Sequence, residues 1–383
     1  MNYDLSEDQR MIRDAVRELC STEFAPHAER WDREAIVPRE AVAKLADHGF
    51  LGMTIPEEWG GVGYDSRTVA IVIEEIARVS AALAIMISVH NSVGAVPVLG
   101  YGTEEQKRRF LPRLVSKELS AFSISEPGAG SDAGHLQATA SRQGAHYVLN
   151  GSKNWVTNGE QAGLYLVFVR TDRESGNRGI SAFIVERGAP GLIVGRAEDK
   201  MGLRGSDTVS LSFHDLRVPV ENRLGAEGDG FRIALGALDA GRIGVAAQSL
   251  GVMRAAFDEA VRYSQQRQAF GHPLAKIQGI QFKLAEMERR IQCAWLLIQR
   301  AAWLRDSGQP FSRQAAMAKV HASEAATWVT HQAIQVHGGY GYVKEYPVER
   351  YYRDARVMEI YEGTSEIQRL VIARSLLKDG VRL

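Results

Sequence analysis

The chain has 383 residues, and its 46 lysines and arginines balance 46 aspartates and glutamates, so its formal charge at neutral pH is zero. That balance leaves no basic excess for counterion release from nucleic acid and no polybasic tail for an anionic membrane surface. The two cysteines, Cys20 and Cys293, are far apart in sequence; they exclude a disulfide framework and a paired-thiolate zinc site and fit a reducing compartment.

The length allows two or three compact units of about 150 residues each. The first, residues 1–119, reads as helical. Its start, Met1 to Asp8, is polar and acidic, so no signal or transit peptide is visible and a cytoplasmic location is expected. Ser6 with Gln9 forms a capping box ahead of Met11, Ile12, Val16 and Leu19. A second helix covers Arg39 to His48 and stops at Gly49, and a turn-rich break follows over residues 56–66. The pattern then predicts one long apolar helix from Arg67 to about Leu99. The longest apolar run, Val79 to Val89, is too short to span a membrane and reads as a buried helix. Thr103 with Gln106 is a second capping box, leading into a helix over Lys107 to Ser116.

Residues 120–229 change character. Short β-branched and aromatic runs, Ala121 to Ser125, Tyr147 to Asn150, Leu164 to Thr171, Ile180 to Glu186 and Val209 to Phe213, alternate with turns. This spacing predicts a small antiparallel barrel or sandwich. Residues 230–383 are helical again. The helix from Phe231 to about Gln268 carries Gly236, Gly241, Gly244 and Gly251. Each costs about 1 kcal/mol against alanine in a helix interior, so four of them point to close approach by another helix or a ligand. In the next helix Ile280, Leu284, Met287, Ile291, Ala294, Ile298 and Ala301 make a packing seam of the kind found in bundles.

Several short motifs bear on chemistry. In Ser125-Glu126-Pro127-Gly128-Ala129-Gly130-Ser131-Asp132 the glycines free backbone N–H groups for an anion or a ring edge; by itself the motif reads as a hairpin loop. Lys153-Asn154-Trp155-Val156-Thr157 offers an indole to stack on a planar ring and a hydroxyl to meet a heteroatom; alone, Trp155 reads as a strand aromatic in the core. Arg267, ahead of Phe270, can cap carbonyls or bind phosphate. Gln335-Val336-His337-Gly338-Gly339 is either a C-cap or a pyrophosphate cradle, and His337, without a partner at ligand spacing, reads as structural. Arg242, mid-helix among apolar residues, needs a partner, either Asp239 three residues earlier or a polar group of a ligand. Finally Tyr361-Glu362-Gly363-Thr364-Ser365-Glu366 holds a carboxylate between an aromatic ring and a tight turn. This is a helix-start loop by itself, and a general base if desolvation raises the carboxylate pKa.

Taken in order, these motifs resemble the acyl-CoA dehydrogenase family over essentially the whole chain, Leu5 to about Leu377, most closely its short-chain, butyryl-CoA-type branch. The resemblance implies a mainly α fold with a central β-domain: an N-terminal helical domain, a small antiparallel β-barrel or sandwich, and a C-terminal four-helix bundle. It implies non-covalent FAD, an acyl-CoA substrate, an electron-transfer flavoprotein as acceptor, and a homotetramer built as a dimer of dimers. Carried over by position, Phe122, Ile124, Ser125, Gly130, Ser131, Trp155, Val156 and Thr157 line the flavin. Arg267, Phe270, Gln278, Gln335, Gly338 and Gly339 contact the FAD of a neighbouring subunit, and Thr364, Ser365 and Glu366 also meet FAD. Ser131, Asp239, Arg242, Tyr361 and Gly363 contact the acyl-CoA. No metal is implied. Glu362 is the base that takes the α-proton, while its backbone N–H and an FAD hydroxyl bind the thioester oxygen. In some relatives the base sits at the position of Gly241, which cannot serve.

The implied activity is FAD-dependent α,β-dehydrogenation of a short- to medium-chain acyl-CoA, straight or branched, to the trans-2-enoyl-CoA. The sequence does not fix the acyl length, since one methylene in an apolar pocket is worth only about 1–3 kcal/mol. Two alternatives stand beside it: a flavin oxidase of the same fold, and a non-catalytic, DNA-binding member of the superfamily. Glu362 and the zero net charge weigh against the second. A decarboxylating glutaryl-CoA enzyme would need an arginine in Ala81 to Val89, which has none.

Overall fold

The structure, a computed structural model, describes residues 4–379; Met1 to Tyr3 of the polar start and the last four residues lie outside the described part. Both predicted capping boxes form. Ser6 and Gln9 exchange side chain-to-backbone hydrogen bonds at the head of α1 (Glu7–Leu19), and Thr103 and Gln106 do the same at the head of α7 (Glu104–Ser116). Between them lie α2 (Ala28–Glu34), α3 (Arg39–Asp47), α4 (Ser66–Val79), α5 (Ala81–Val89) and α6 (Val96–Tyr101).

The single helix predicted from Arg67 to Leu99 is therefore three helices. Ser80 takes an extended conformation (φ −145°, ψ 103°) and its hydroxyl accepts from Leu83 N–H at 3.2 Å, which ends α4 and caps α5. A π-helical turn over His90–Ala95 then separates α5 from α6. There the Asn91 amide donates to the Ile87 and Phe50 carbonyls at 3.1 and 2.9 Å, diverting the helical ladder. The stretch Ala81–Tyr101 is long and apolar enough to cross a membrane, but 89% of its most apolar window is buried inside the fold, as a core helix requires.

The β-domain contains β1 (Ser120–Ser123), β2 (Thr139–Gln143), β3 (His146–Thr157), β4 (Leu164–Arg170), β5 (Ile180–Glu186), β6 (Leu192–Val194), β7 (Thr208–Pro219) and β8 (Arg223–Leu224). They form one sheet in the order β6-β7-β3-β2-β4-β5-β8, with β1 on β4. The sheet is mixed rather than purely antiparallel. β1 runs parallel to β4, because the β2–β3 hairpin intervenes and brings the chain back in the same direction; a single β2–β4 pair is parallel as well.

The C-terminal part comprises α8 (Gly230–Gln266), α9 (Gln278–Asp306), α10 (Ser312–His337), α11 (Val348–Arg356) and α12 (Ser365–Asp379). Met287, Ile291, Ala294, Ile298 and Ala301 of the α9 seam are buried; Ile280 and Leu284, at its start, are half-buried. The N- and C-terminal helices share one hydrophobic core, running from Val16 to Met358; the β-domain has one of its own and shares another with α6, α7 and the start of α8. The shared core follows from the glycines of α8. A Cβ at Gly251 would lie 2.2 Å from the Glu74 carbonyl oxygen of α4, so glycine lets the two helices touch backbone to backbone.

Candidate active site

The site is built where α8, α10 and the segment between α11 and α12 converge. Glu362 and Gly363 are consecutive residues with φ of +51° and +91°. Glycine adopts this region freely, whereas glutamate in it costs on the order of 1–2 kcal/mol, so its surroundings must enforce it. They do so through three hydrogen bonds from two side chains. The Gln368 amide donates to the carbonyls of Glu362 (3.2 Å) and Gly363 (2.9 Å), and the Lys319 ammonium, from α10, donates to the Gly363 carbonyl at 2.8 Å. Thr364 caps α12 by accepting from Ile367 N–H, as expected of a helix-start loop.

This turn throws the Glu362 side chain across α8 at Gly241, where a Cβ would lie 2.0 Å from Oε2. The carboxylate thus fills the space that glycine vacates. Both its oxygens are shielded from solvent and neither accepts a hydrogen bond. Desolvation pushes its pKa up to about 7, against the pull of the Lys319 and Arg242 charges. A carboxylate without donors, titrating near neutral pH, is equipped to take a proton.

Arg242, 4% exposed, is paired with Asp239, which also accepts from Ser312 at 2.9 Å. The in-helix partner is therefore real, yet the Arg242 Nε–H stays buried without an acceptor. Burial lowers the pKa of Arg242 and raises that of Asp239, each opposed by the other's charge. Tyr361 donates its hydroxyl to Gln248 of α8, so its oxygen is committed inside the protein.

The β-domain supplies a second set of residues. Glu126 and Ala129 pair across a tight turn with Pro127 and Gly128 at its tip, so the Ser125–Asp132 motif is a hairpin loop, and Gly130 and Ser131 are exposed just after it. Trp155 is not the core aromatic suggested by its strand. A register shift between Lys153 and Val156 gives it φ +61° and leaves it 63% exposed. Thr157 and Ser125 are half-buried, the Ser125 carbonyl accepting from Asn154 N–H at 2.9 Å, and Phe122 packs on Phe168 at 4.9 Å. The Val156 and Ile124 side chains belong to hydrophobic clusters, leaving mainly their backbone to a ligand.

A third set lies at the far ends of α8 and α10. Arg267, Phe270, Gln335, Gly338 and Gly339 line a groove of about 820 Å³ together with Ile280 and Lys283. Phe270, with φ +54°, is 90% exposed, and the Arg267 guanidinium lies over Tyr340 at 5.6 Å. Gly338 is the C-cap of α10, and a Cβ on Gly338 or Gly339 would meet nothing, so their backbone is open to a ligand. His337 is held by the bond of its Nδ1 to the Ala333 carbonyl and by stacking on Tyr263 at 4.2 Å, and it too lines the groove. Gln278 and Glu366 are exposed, and Ser365 is buried with an unpartnered hydroxyl. None of the β-domain residues lines this groove.

Four residues that position the site escaped sequence reasoning: Lys319, Gln368, Gln248 and Lys153. Lys153 is 0% exposed, donates to Glu126 (2.8 Å) and the Ile124 carbonyl (3.0 Å), and so ties the hairpin loop to the Trp155 strand. The one signal available was a lysine set among buried small residues, as Lys319 is among Ala315, Ala316, Ala318 and Ala322.

The structure thus sets a buried, donor-free carboxylate where α8, α10 and the α11–α12 segment meet, and an exposed indole on the β-domain. The sequence profiles described as acyl-CoA dehydrogenase N-terminal, middle and C-terminal domains match residues 6–118, 121–216 and 228–377. The short-chain specific acyl-CoA dehydrogenase of Mus musculus mitochondria is 49% identical over 98% of this chain and 92% of its own. The butyryl-CoA dehydrogenase structure from Megasphaera elsdenii superposes with a TM-score of 0.97 at 44% identity, covering 98% of this chain and all of that one. A chain in a structure of the electron-transferring flavoprotein of Acidaminococcus fermentans gives 0.98 at 45% identity, covering 99% and 100%. The chain belongs to the acyl-CoA dehydrogenase family, whose members are FAD-dependent.

The residues present fit FAD. Trp155 offers a flat face to an isoalloxazine, and the groove of Arg267, Gly338 and Gly339 joins a guanidinium to open backbone, as a pyrophosphate and adenosine require.

Proposed function

We propose that the protein dehydrogenates a short acyl-CoA thioester between its α and β carbons, with Glu362 as base and an electron-transfer flavoprotein as acceptor. The observation that carries this reading is the Glu362 carboxylate, buried, without donors and titrating near 7. Bound FAD supplies the acceptor for the β-hydride. Glu362 takes the α-proton, and its backbone N–H, which has no acceptor among the described residues, is free for the thioester oxygen. A donor so placed is typically worth about 3 kcal/mol in the transition state. Arg242, with its spare Nε–H, adds positive charge beside the reacting centre.

Support for a short acyl chain comes from one face of α8. Gly241 faces Glu362, Gly244 faces Ser88, and Gln248 is fixed by the Ala81 carbonyl (2.8 Å) and Tyr361. From Gly241 to Gln248 is seven residue steps, about 10 Å of helix. The names of the mouse and Megasphaera relatives agree with it. Support for a tetramer comes from Phe282, Leu296 and Trp303, all exposed on α9 at multiples of seven residues, and from a β-domain and a groove that do not meet within one chain. Cys20 and Cys293 as free thiols support a reducing, cytoplasmic compartment. The test is anaerobic titration of the flavoprotein with a panel of acyl-CoAs. Bleaching is expected to be fastest with short chains; no bleaching with any of them overturns the reading.

A further inference from the structure

Lys319 is 0% exposed on the inner face of α10, and its one hydrogen bond among the described residues goes to a neutral acceptor, the Gly363 carbonyl. A single carbonyl does not offset the cost of burying an ammonium; an anion must. The charged groups around it are Glu362 from the loop, Arg242 with its partner Asp239 from α8, Glu359 ahead of the loop, and Glu324 on α10 itself. Asp239 is committed to Arg242 and Ser312; Glu359 accepts from Thr327 and lies 3.5 Å from Arg356; Glu324 pairs with Arg369. Glu362 is the one of these carboxylates whose oxygens have no hydrogen-bonded partner.

We infer that Lys319 is a positioning residue for the proton transfer: it clamps the left-handed Glu362–Gly363 turn through the Gly363 carbonyl, and its charge keeps the Glu362 carboxylate ionised in a pocket that favours the acid. The inference rests on Glu362 being the base. Burial acts on both groups in opposite senses, lowering the lysine to about 8 and raising the glutamate to about 7, and each is held against that drift by the other's charge. Between about pH 7 and 8 each group is at least half in its charged form, and this is the window in which the charged pair is most populated.

The test compares Lys319→Met, Lys319→Arg and the native holoenzyme in anaerobic single-turnover flavin reduction by butyryl-CoA from pH 5.5 to 9.5. Removing the charge should move the acid limb up by about one pH unit. The Lys319→Met rate then falls about fivefold at pH 7 and returns toward native at pH 9, and Lys319→Arg moves the limb back. A limb in place, or a loss equal at every pH, overturns the inference. If Lys319→Met does not hold FAD, melting of the FAD-free proteins decides. At pH 8 the substitution should lower Tm less in a Glu362→Gln background than in the native one, and the difference should vanish at pH 5.5, where Glu362 is protonated. Equal losses at pH 8 overturn it. Failure of native enzyme to be reduced by any acyl-CoA would instead sink the functional reading, and the melting comparison would still report on the Lys319–Glu362 pair.

Discussion

A methyl group on Gly241 would occupy the space of the Glu362 carboxylate. It would lie 2.0 Å from Oε2 and 2.9 Å from Cδ, whereas ordinary contact begins at 3.4 Å, so the oxygen must retreat by about 1.4 Å (3.4 − 2.0). The carboxylate is the end of a flexible side chain, so the fold absorbs this cheaply, and alanine adds up to about 1 kcal/mol of helix propensity. Catalysis does not absorb it, because a displacement of about 1 Å at a reacting group can cost 10²-fold. Gly241→Ala is therefore expected to keep its Tm and FAD content while flavin reduction by butyryl-CoA, followed anaerobically by stopped flow, slows on the order of 10²-fold. Gly251→Ala is the control. Its methyl would lie 2.2 Å from a backbone oxygen of α4, so it should cost about 1–3 kcal/mol of stability and leave the rate per folded site unchanged. A Gly241→Ala enzyme within threefold of the native rate would refute the placement of the base.

Three further outcomes are expected. Because the base must be ionised and Glu362 titrates near 7, flavin reduction should rise as pH climbs through about 7; a limb near 4.5 would remove the desolvated pocket. His90, 0% exposed, accepts from Ser120 N–H at Nδ1 and faces the Leu51 and Leu114 carbonyls with Nε2, and burial lowers its pKa to about 4. The unfolded chain binds the proton first, so stability is fully present above pH 6.5 and is lost as pH falls toward 4, by on the order of 3 kcal/mol; His90→Gln should flatten that part of the Tm–pH curve, and an unchanged slope would count against it. Arg267→Ala should retain less FAD after gel filtration with the apoprotein's Tm unchanged; equal FAD affinity would remove the phosphate role.

What could be read from the sequence was whatever local chemistry dictates. Both capping boxes, the α9 seam and the glycines of α8 carry their signal within a few residues. The break at Ser80 did not announce itself, because a serine inside an apolar run is also an ordinary helix residue until its hydroxyl turns to Leu83. β2 was missed because it exposes most of its polar side chains. Trp155 is exposed through a bulge that no periodicity encodes. In the site, Glu362 was legible through its motif and Gly241, but its clamp was not: Lys319 and Gln368 reach Gly363 from positions 44 residues before and 5 after it in the chain, and only the packing of α10 against the loop brings them there.

The most direct measurement of the central claim is the reductive half-reaction of Glu362→Gln, loaded with FAD and mixed anaerobically with butyryl-CoA. The amide matches the carboxylate in size but cannot take a proton. Butyryl-CoA should still bind and perturb the flavin spectrum, while bleaching slows by at least about 10³-fold. Reduction at a near-native rate would contradict the assignment of Glu362 as the base.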